Sequence, residues 1–145
     1  MSRPVVKNPA GLKAFRISPT DTNYFACLAD PMTEGAPFLA IVEIYEPGGA
    51  TPPNTHAAAY EFFYILEGEG VGLCDGVEAP LRPGSFLMIP PGKEHVVRNT
   101  GSGKLYALTV MAPNEGFAEL IHAGAPVALS DEDVAVLTRA LPVAA

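Results

Sequence analysis

Residues 48–70 read GGATPPNTHAAAYEFFYILEGEG, and their succession of loop, strand and turn decides the fold class. The loop Thr51-Pro52-Pro53-Asn54 cannot sit inside a helix or a central strand, because proline lacks an amide donor and pushes the preceding residue toward extended geometry. Tyr60 to Leu66 follows as a run of aromatic and aliphatic strand formers interrupted only by Glu61. Glu67-Gly68-Glu69-Gly70 then closes the run as a turn. Phe62 to Leu66 is apolar on both faces, so one face points into a core and the other also needs cover. The N-terminal strands, the C-terminal segment or a second subunit can supply that cover.

The same rhythm extends in both directions. Strands are predicted at Leu12 to Ile17, Tyr24 to Leu28, Phe38 to Tyr45, Gly70 to Cys74, Ser85 to Ile89, His95 to Asn99 and Lys104 to Ala112. Pro47-Gly48-Gly49, Arg82-Pro83-Gly84, Pro90-Pro91-Gly92 and Gly101-Ser102-Gly103 separate them, and Asp75-Gly76 is a hairpin signal. Short strands without helical pattern between them call for an antiparallel sandwich or barrel. Only the tail differs. Glu115 to His122 carries a stripe of Phe117, Leu120 and Ile121, and Ser130 with Asp133 resembles a helix N-cap before Val134, Val136, Leu137 and Leu141.

Composition narrows the function. The chain has 145 residues, matching one domain, with 48% hydrophobic and 17% charged residues and 14 Gly and 15 Pro to break it often. Its net charge of −7, without a cluster of Lys or Arg, argues against nucleic acid and anionic membranes as partners and leaves a small molecule. Met1-Ser2-Arg3-Pro4 leads into no apolar signal region, and no run reaches the ~18 residues of a membrane span, so a soluble cytoplasmic protein is expected. Cys27 and Cys74 lie in apolar stretches outside any CxxC pair and read as buried thiols.

Of three histidines, His56 and His95 each follow a Pro-rich loop and lead into a strand. Glu61 lies at the start of an apolar strand, where an ionised carboxylate needs compensation, and a metal ion is one compensator. Two imidazoles and one carboxylate form the facial set that suits Fe(II), Mn(II), Ni(II) or Zn(II) and leaves coordination positions open. Alternation puts Glu61, Phe63 and Ile65 on one face and His95, Val97 and Asn99 on another, and a closing barrel brings both to one cavity. Phe63, Ile65, Met88, Arg98, Tyr106 and Leu108 are candidates to line it, with Arg98 alternating away from His95 toward solvent or a partner subunit. His122 reads as a surface or packing residue.

Two spaced motifs go further. The first is Gly48, five residues, Asn54, one residue, His56, four residues, Glu61, six residues, Gly68; the second is Gly84, five residues, Pro90, one residue, Gly92, two residues, His95, three residues, Asn99. They resemble the two conserved motifs of the cupin superfamily, in the manner of its small single-domain conserved-barrel members, agreeing at nine of ten positions over about a third of the chain. The resemblance implies an all-β double-stranded β-helix, the jelly-roll cupin barrel, with short C-terminal helices. N-terminal strands would span 1–45, the barrel motifs 48–99, and the last strand and helices 104–145. It also implies a divalent metal held by His56, Glu61 and His95, with the glycines as turn residues at positive φ. Asn54 departs from the pattern by standing at the first histidine position. It either acts as a fourth, weaker ligand or caps the loop that it ends.

Met111-Ala112-Pro113-Asn114-Glu115-Gly116-Phe117 resembles the segment after the last barrel strand in cupins similar to quercetin dioxygenases. The resemblance therefore implies a metal-dependent dioxygenase-type oxidoreductase acting on a small oxygenated molecule, with the metal lowering the pKa of a substrate hydroxyl or enolate and Glu61 accepting a proton. A metal-dependent isomerase or lyase, and a non-catalytic small-molecule-binding cupin with a weakened metal site, stand beside it. Cupins of this size usually form homodimers, which the two-faced strands also favour.

Overall fold

The computed structural model describes residues 3–139. After a 3₁₀ turn at Pro9–Gly11 come β1 (Ala14–Arg16), β2 (Asn23–Ala29), β3 (Leu39–Tyr45), β4 (Tyr60–Glu67), β5 (Gly70–Cys74), β6 (Val77–Leu81), β7 (Phe86–Ile89), β8 (His95–Asn99) and β9 (Leu105–Ala112). Helix α1 (Phe117–His122), β10 (Ala125–Val127) and helix α2 (Asp131–Thr138) follow. One sheet has the order β10-β1-β2-β3-β9-β4-β7 and the other β6-β5-β8. The antiparallel pairings β3 with β9, β4 with β9 and β5 with β8 skip over intervening strands, which is the winding of a jelly-roll. The all-β barrel with short C-terminal helices is therefore the fold.

The predicted strands all form, most with ends moved by one or two residues. Two further strands escaped the pattern. In β6, Pro80 argues against a strand, but β6 is the edge of its sheet and pairs only with β5, so the missing amide costs no ladder bond. The hairpin that delivers it is the one signalled by Asp75 and Gly76, both left-handed at φ 54° and 75°. The other, β10, is three residues long, contains Pro126 and is also an edge. Helix α2 begins with the expected cap: Asp133 N–H donates to Ser130 Oγ, and Ser130 N–H donates to the Asp133 carboxylate, each at 3.1 Å. Leu141 lies outside the described residues.

Alternation along the strands sorts the interior into layers. At one end Phe25, Cys27, Leu39, Ile41 and Met111 pack beneath Ala118 and Ile121 of α1. At the other, Tyr45, Phe63, Ile65, Leu81, Ile89 and Val97 pack between the two sheets. Inward-facing Asn23, Glu43, Glu61, His95 and Thr109 are all buried and belong to neither apolar cluster. On the outside, Tyr24, Val42, Ile44 and Tyr106 are covered by Val136 and Leu137 of α2. The N-terminal and C-terminal segments thus supply cover over β2 and β3, whereas Tyr60, Tyr64, Phe86 and Met88 stay exposed on β4 and β7.

Candidate metal centre

His56 is held by its main chain on two sides. Gly92, in the left-handed region at φ 81°, donates its N–H to the His56 carbonyl at 2.7 Å. The next three amides, of Ala57, Ala58 and Ala59, donate to the Glu115 carboxylate at 2.9, 2.5 and 2.8 Å. These bonds hold the Glu115 carboxyl below its usual range. His95 opens β8 and exchanges main-chain hydrogen bonds with Asn54, His95 N–H to Asn54 at 3.0 Å and Asn54 N–H to His95 at 3.2 Å. Glu61, the second residue of β4, points inward between them.

The three side chains converge. His95 Nε2 lies 2.7 Å from Glu61 Oε1, His56 Nε2 lies 3.3 Å from the same oxygen, and the donor atoms of all three residues fall within 4.8 Å of one another. The two imidazole rings stand 5.5 Å apart. His95 Nδ1 lies 3.0 Å from the Lys93 carbonyl, an acceptor only, so Nδ1 carries a proton and Nε2 is the atom presented to Glu61. A neutral imidazole then meets the carboxylate with a bare lone pair, a contact that needs either a second ring proton or a cation.

The donor set fits a metal. Cis ligands at ~2.1 Å from a first-row ion lie ~3 Å apart, which is close to the distance of each imidazole Nε2 from Glu61 Oε1. His56 Nε2 is buried with no hydrogen-bond partner among the described residues, an orphan that coordination would satisfy. Burial alone would raise the Glu61 carboxyl, but the His56 and His95 contacts outweigh it and hold it below its usual value. Burial alone would lower His95, and the contacts to Glu61 and the Lys93 carbonyl instead raise it.

Asn54, at the first histidine position of the motif, is anchored through its amide nitrogen. Its Nδ2 donates to the Pro52 carbonyl at 3.1 Å and the His95 carbonyl at 3.4 Å, tying the loop to β8. The candidate liners sort by face, and Arg98 is turned outward as its alternation predicts. Met88 and Arg98 are exposed, Tyr106 packs outside the sheet under α2, and Phe63 and Ile65 belong to the apolar layer between the sheets, where the Phe63 ring meets His95 edge-on at 6.3 Å. Instead, a cavity of roughly 190 Å³ is lined by Asn23, Phe25, Glu43, Asn54 and Phe117, among others. Phe117 meets His56 edge-on at 6.0 Å, so the cavity adjoins the centre. Glu43 was missed although its strand, Phe38 to Tyr45, carries the signal that singled out Glu61, a lone carboxylate in an apolar run. Burial, and then the charge of Glu61, push Glu43 up to about 8.

A second group, Cys27, Asp30 and His122, also has close donor atoms. Asp30 Oδ1 accepts from Met32 N–H, Thr33 N–H and Thr33 Oγ1, each at 2.8 Å, while Oδ2 pairs with His122 Nε2 at 2.9 Å. Burial pushes the Cys27 thiol up to about 11. That group is satisfied without an ion, and His122 is the packing residue expected, tilted against Phe15 at 4.9 Å. Both cysteines are free, Cys27 buried and Cys74 only half-buried. No helix among the described residues is long and apolar enough to cross a membrane.

The profile of the cupin domain family matches residues 41–111, a span that contains every donor of the centre. An oxalate-binding protein of Thermotoga maritima is 34% identical over 65 residues, 45% of this chain and 54% of its own length. The chain thus spans about half of that curated relative. A solved Thermotoga maritima structure described as a predicted oxalate decarboxylase superposes with a TM-score of 0.68 at 25% identity, covering 75% of this chain and 99% of the other. Recombinant oxalate oxidase in complex with glycolate superposes with a TM-score of 0.60 at 23% identity over 70% of this chain and 56% of its own, a likeness of fold alone.

Proposed function

The chain belongs to the cupin superfamily, and from that premise we propose that it binds one divalent ion, Fe, Mn, Ni or Zn, through His56, Glu61 and His95 and carries out a dioxygenase-type reaction on a small oxygenated organic molecule. The observation that carries the reading is the buried, unpartnered His56 Nε2 lying 3.3 Å from the carboxylate oxygen that also faces His95. When bound, the ion supplies Lewis acidity and, if redox-active, access to dioxygen chemistry. Glu61 serves as ligand through Oε1 and as proton acceptor for the substrate hydroxyl. Phe117 and Phe25 exclude water from the approach. Glu115 and Gly92 position His56, and Asn54 caps the loop instead of ligating.

The likeness to the Thermotoga oxalate-binding protein and predicted oxalate decarboxylase favours a second reading, a lyase, isomerase or binding role that uses the same donors without dioxygen. Turnover under air and under argon separates the two. The exposed apolar patch of Tyr60, Tyr64, Phe86 and Met88 supports a homodimer, and the free cysteines suit the reducing cytoplasm. For the metal itself, elemental analysis of protein purified without chelators should find about one ion per chain in the wild type and none in His56→Ala. A metal-free wild type that takes up an ion only as Asn54→His would overturn the three-ligand site.

A further inference from the structure

Building on the metal-site reading, we infer that the cavity beside His56, Glu61 and His95 selects a neutral hydroxylated molecule with a flat apolar body, a hydroxyarene, over a small dicarboxylate of the oxalate kind. The walls give the body. Phe25 and Phe117 meet edge to face at 5.8 Å, and Phe117 continues to His56, so an aromatic wall runs from the cavity to the centre. Ile17 and Leu120 complete the apolar lining. A volume of roughly 190 Å³ lies below the ~300 Å³ at which drug-sized pockets begin, which limits the guest to about one ring.

The polar end selects for a donor. Asp21 and Glu43 are the ionisable side chains on the lining, and among the described residues no Lys or Arg lines it. Arg16 is turned elsewhere, donating to the main-chain oxygens of Asp21 and Asn23 and pairing with Glu46 at 3.6 Å. An oxalate dianion in the cavity would therefore face the Asp21 carboxylate with no Lys or Arg on the lining to offset it. Asn23, 2% exposed, donates Nδ2 to Glu43 at 2.8 Å and is left with a buried Oδ1 that has no partner among the described residues. A guest hydroxyl can donate to this buried amide oxygen, which a carboxylate cannot.

The probes are catechol and oxalate, titrated calorimetrically into wild type and Asn23→Leu after zinc content has been measured on the same samples. Catechol should bind wild type about tenfold or more tighter than oxalate, and Asn23→Leu should lose about tenfold in catechol affinity at unchanged zinc content. Oxalate binding as tightly as catechol would overturn the inference, as would catechol affinity indifferent to Asn23→Leu. If that variant does not fold, the wild-type ordering decides. A wild type that takes up no zinc removes the metal-site reading instead, and the ordering is then read on the metal-free protein, where the cavity wall demands the same preference.

Discussion

Two buried carboxyl groups, Asp133 on α2 and Glu43 on β3, are equally hidden from solvent and are treated in opposite ways by their surroundings. Asp133 receives the Tyr24 and Tyr106 hydroxyls at 2.7 Å each, Lys104 Nζ at 3.2 Å and the Ser130 amide at 3.1 Å. Burial alone would raise its carboxyl, but those bonds bring it below the usual value. Glu43 receives Asn23 Nδ2 at 2.8 Å and a contact from the Tyr45 side chain, which do not offset its burial and the charge of Glu61. The other amide atom of Asn23, Oδ1, is left buried without a partner among the described residues. The contrast separates architecture from site. A polar cluster whose acceptors are all taken up by donors ties helix to sheet, whereas a raised carboxyl on the wall of a cavity is the mark of a candidate site.

The sharpest way to break that contrast is Asp133→Asn. It turns one of the two acceptor oxygens into an NH2 donor, stranding either the Tyr24 hydroxyl and Ser130 amide or the Tyr106 hydroxyl and Lys104 ammonium. Unfolding titrations should register a loss of about 3 kcal/mol. Zinc content of the folded fraction should not change, because the cluster lies on the outer face of the sheet. A loss below about 1 kcal/mol would mean that the network is not what holds α2 down. Its pH signature lies on the acid side. A depressed folded pKa stabilises above the unfolded carboxyl value of 3.8, and that contribution disappears as pH falls through the folded one.

Glu43 carries the opposite sign. The folded chain keeps its proton up to about 8, while the unfolded chain releases it near 4.5, so above 4.5 the unfolded state binds fewer protons and stability declines toward pH 8. Glu43→Gln should flatten that decline, gaining on the order of 2 kcal/mol relative to wild type at pH 8 and little at pH 4.5. Denaturant midpoints of chelator-treated protein at the two pH values measure it. Comparison with the variant is needed because the raised His95 also loses stability as pH rises through its folded pKa, and that part remains in Glu43→Gln. An unchanged slope would place Glu43 among ordinary ionised carboxylates.

Much of this was written in the local pattern. The alternation of Glu61, Phe63 and Ile65, and of His95, Val97 and Asn99, is the buried register that the barrel adopts, and the motif glycines sit at the positive φ expected of them. What escaped depends on distance in space. Nothing near Glu43 in the chain says that Asn23, twenty residues earlier, will donate to it, or that Glu61 will stand close enough to affect its charge. Glu115 lay inside the quoted segment after the last strand, yet its role comes from amides 56 to 58 positions away. Met88 and Tyr106 were misplaced because alternation assigns a face without saying which face turns inward.

Asn54 is the residue at which local pattern offered two readings, and it sets the smallest effect. Its amide nitrogen is spent on two carbonyls, one in its own loop and one in β8, so the side chain works as a clip between the motifs. Asn54→Ala removes the clip and leaves the backbone exchange with His95, which should cost about 1 kcal/mol of stability. Zinc affinity should fall by no more than about threefold, since second-shell changes that do reach a metal cost tenfold or more. Competition with a calibrated chelator measures it. A larger loss at preserved stability would make the amide oxygen a ligand, moving Asn54 from the side of satisfied architecture to that of the candidate site.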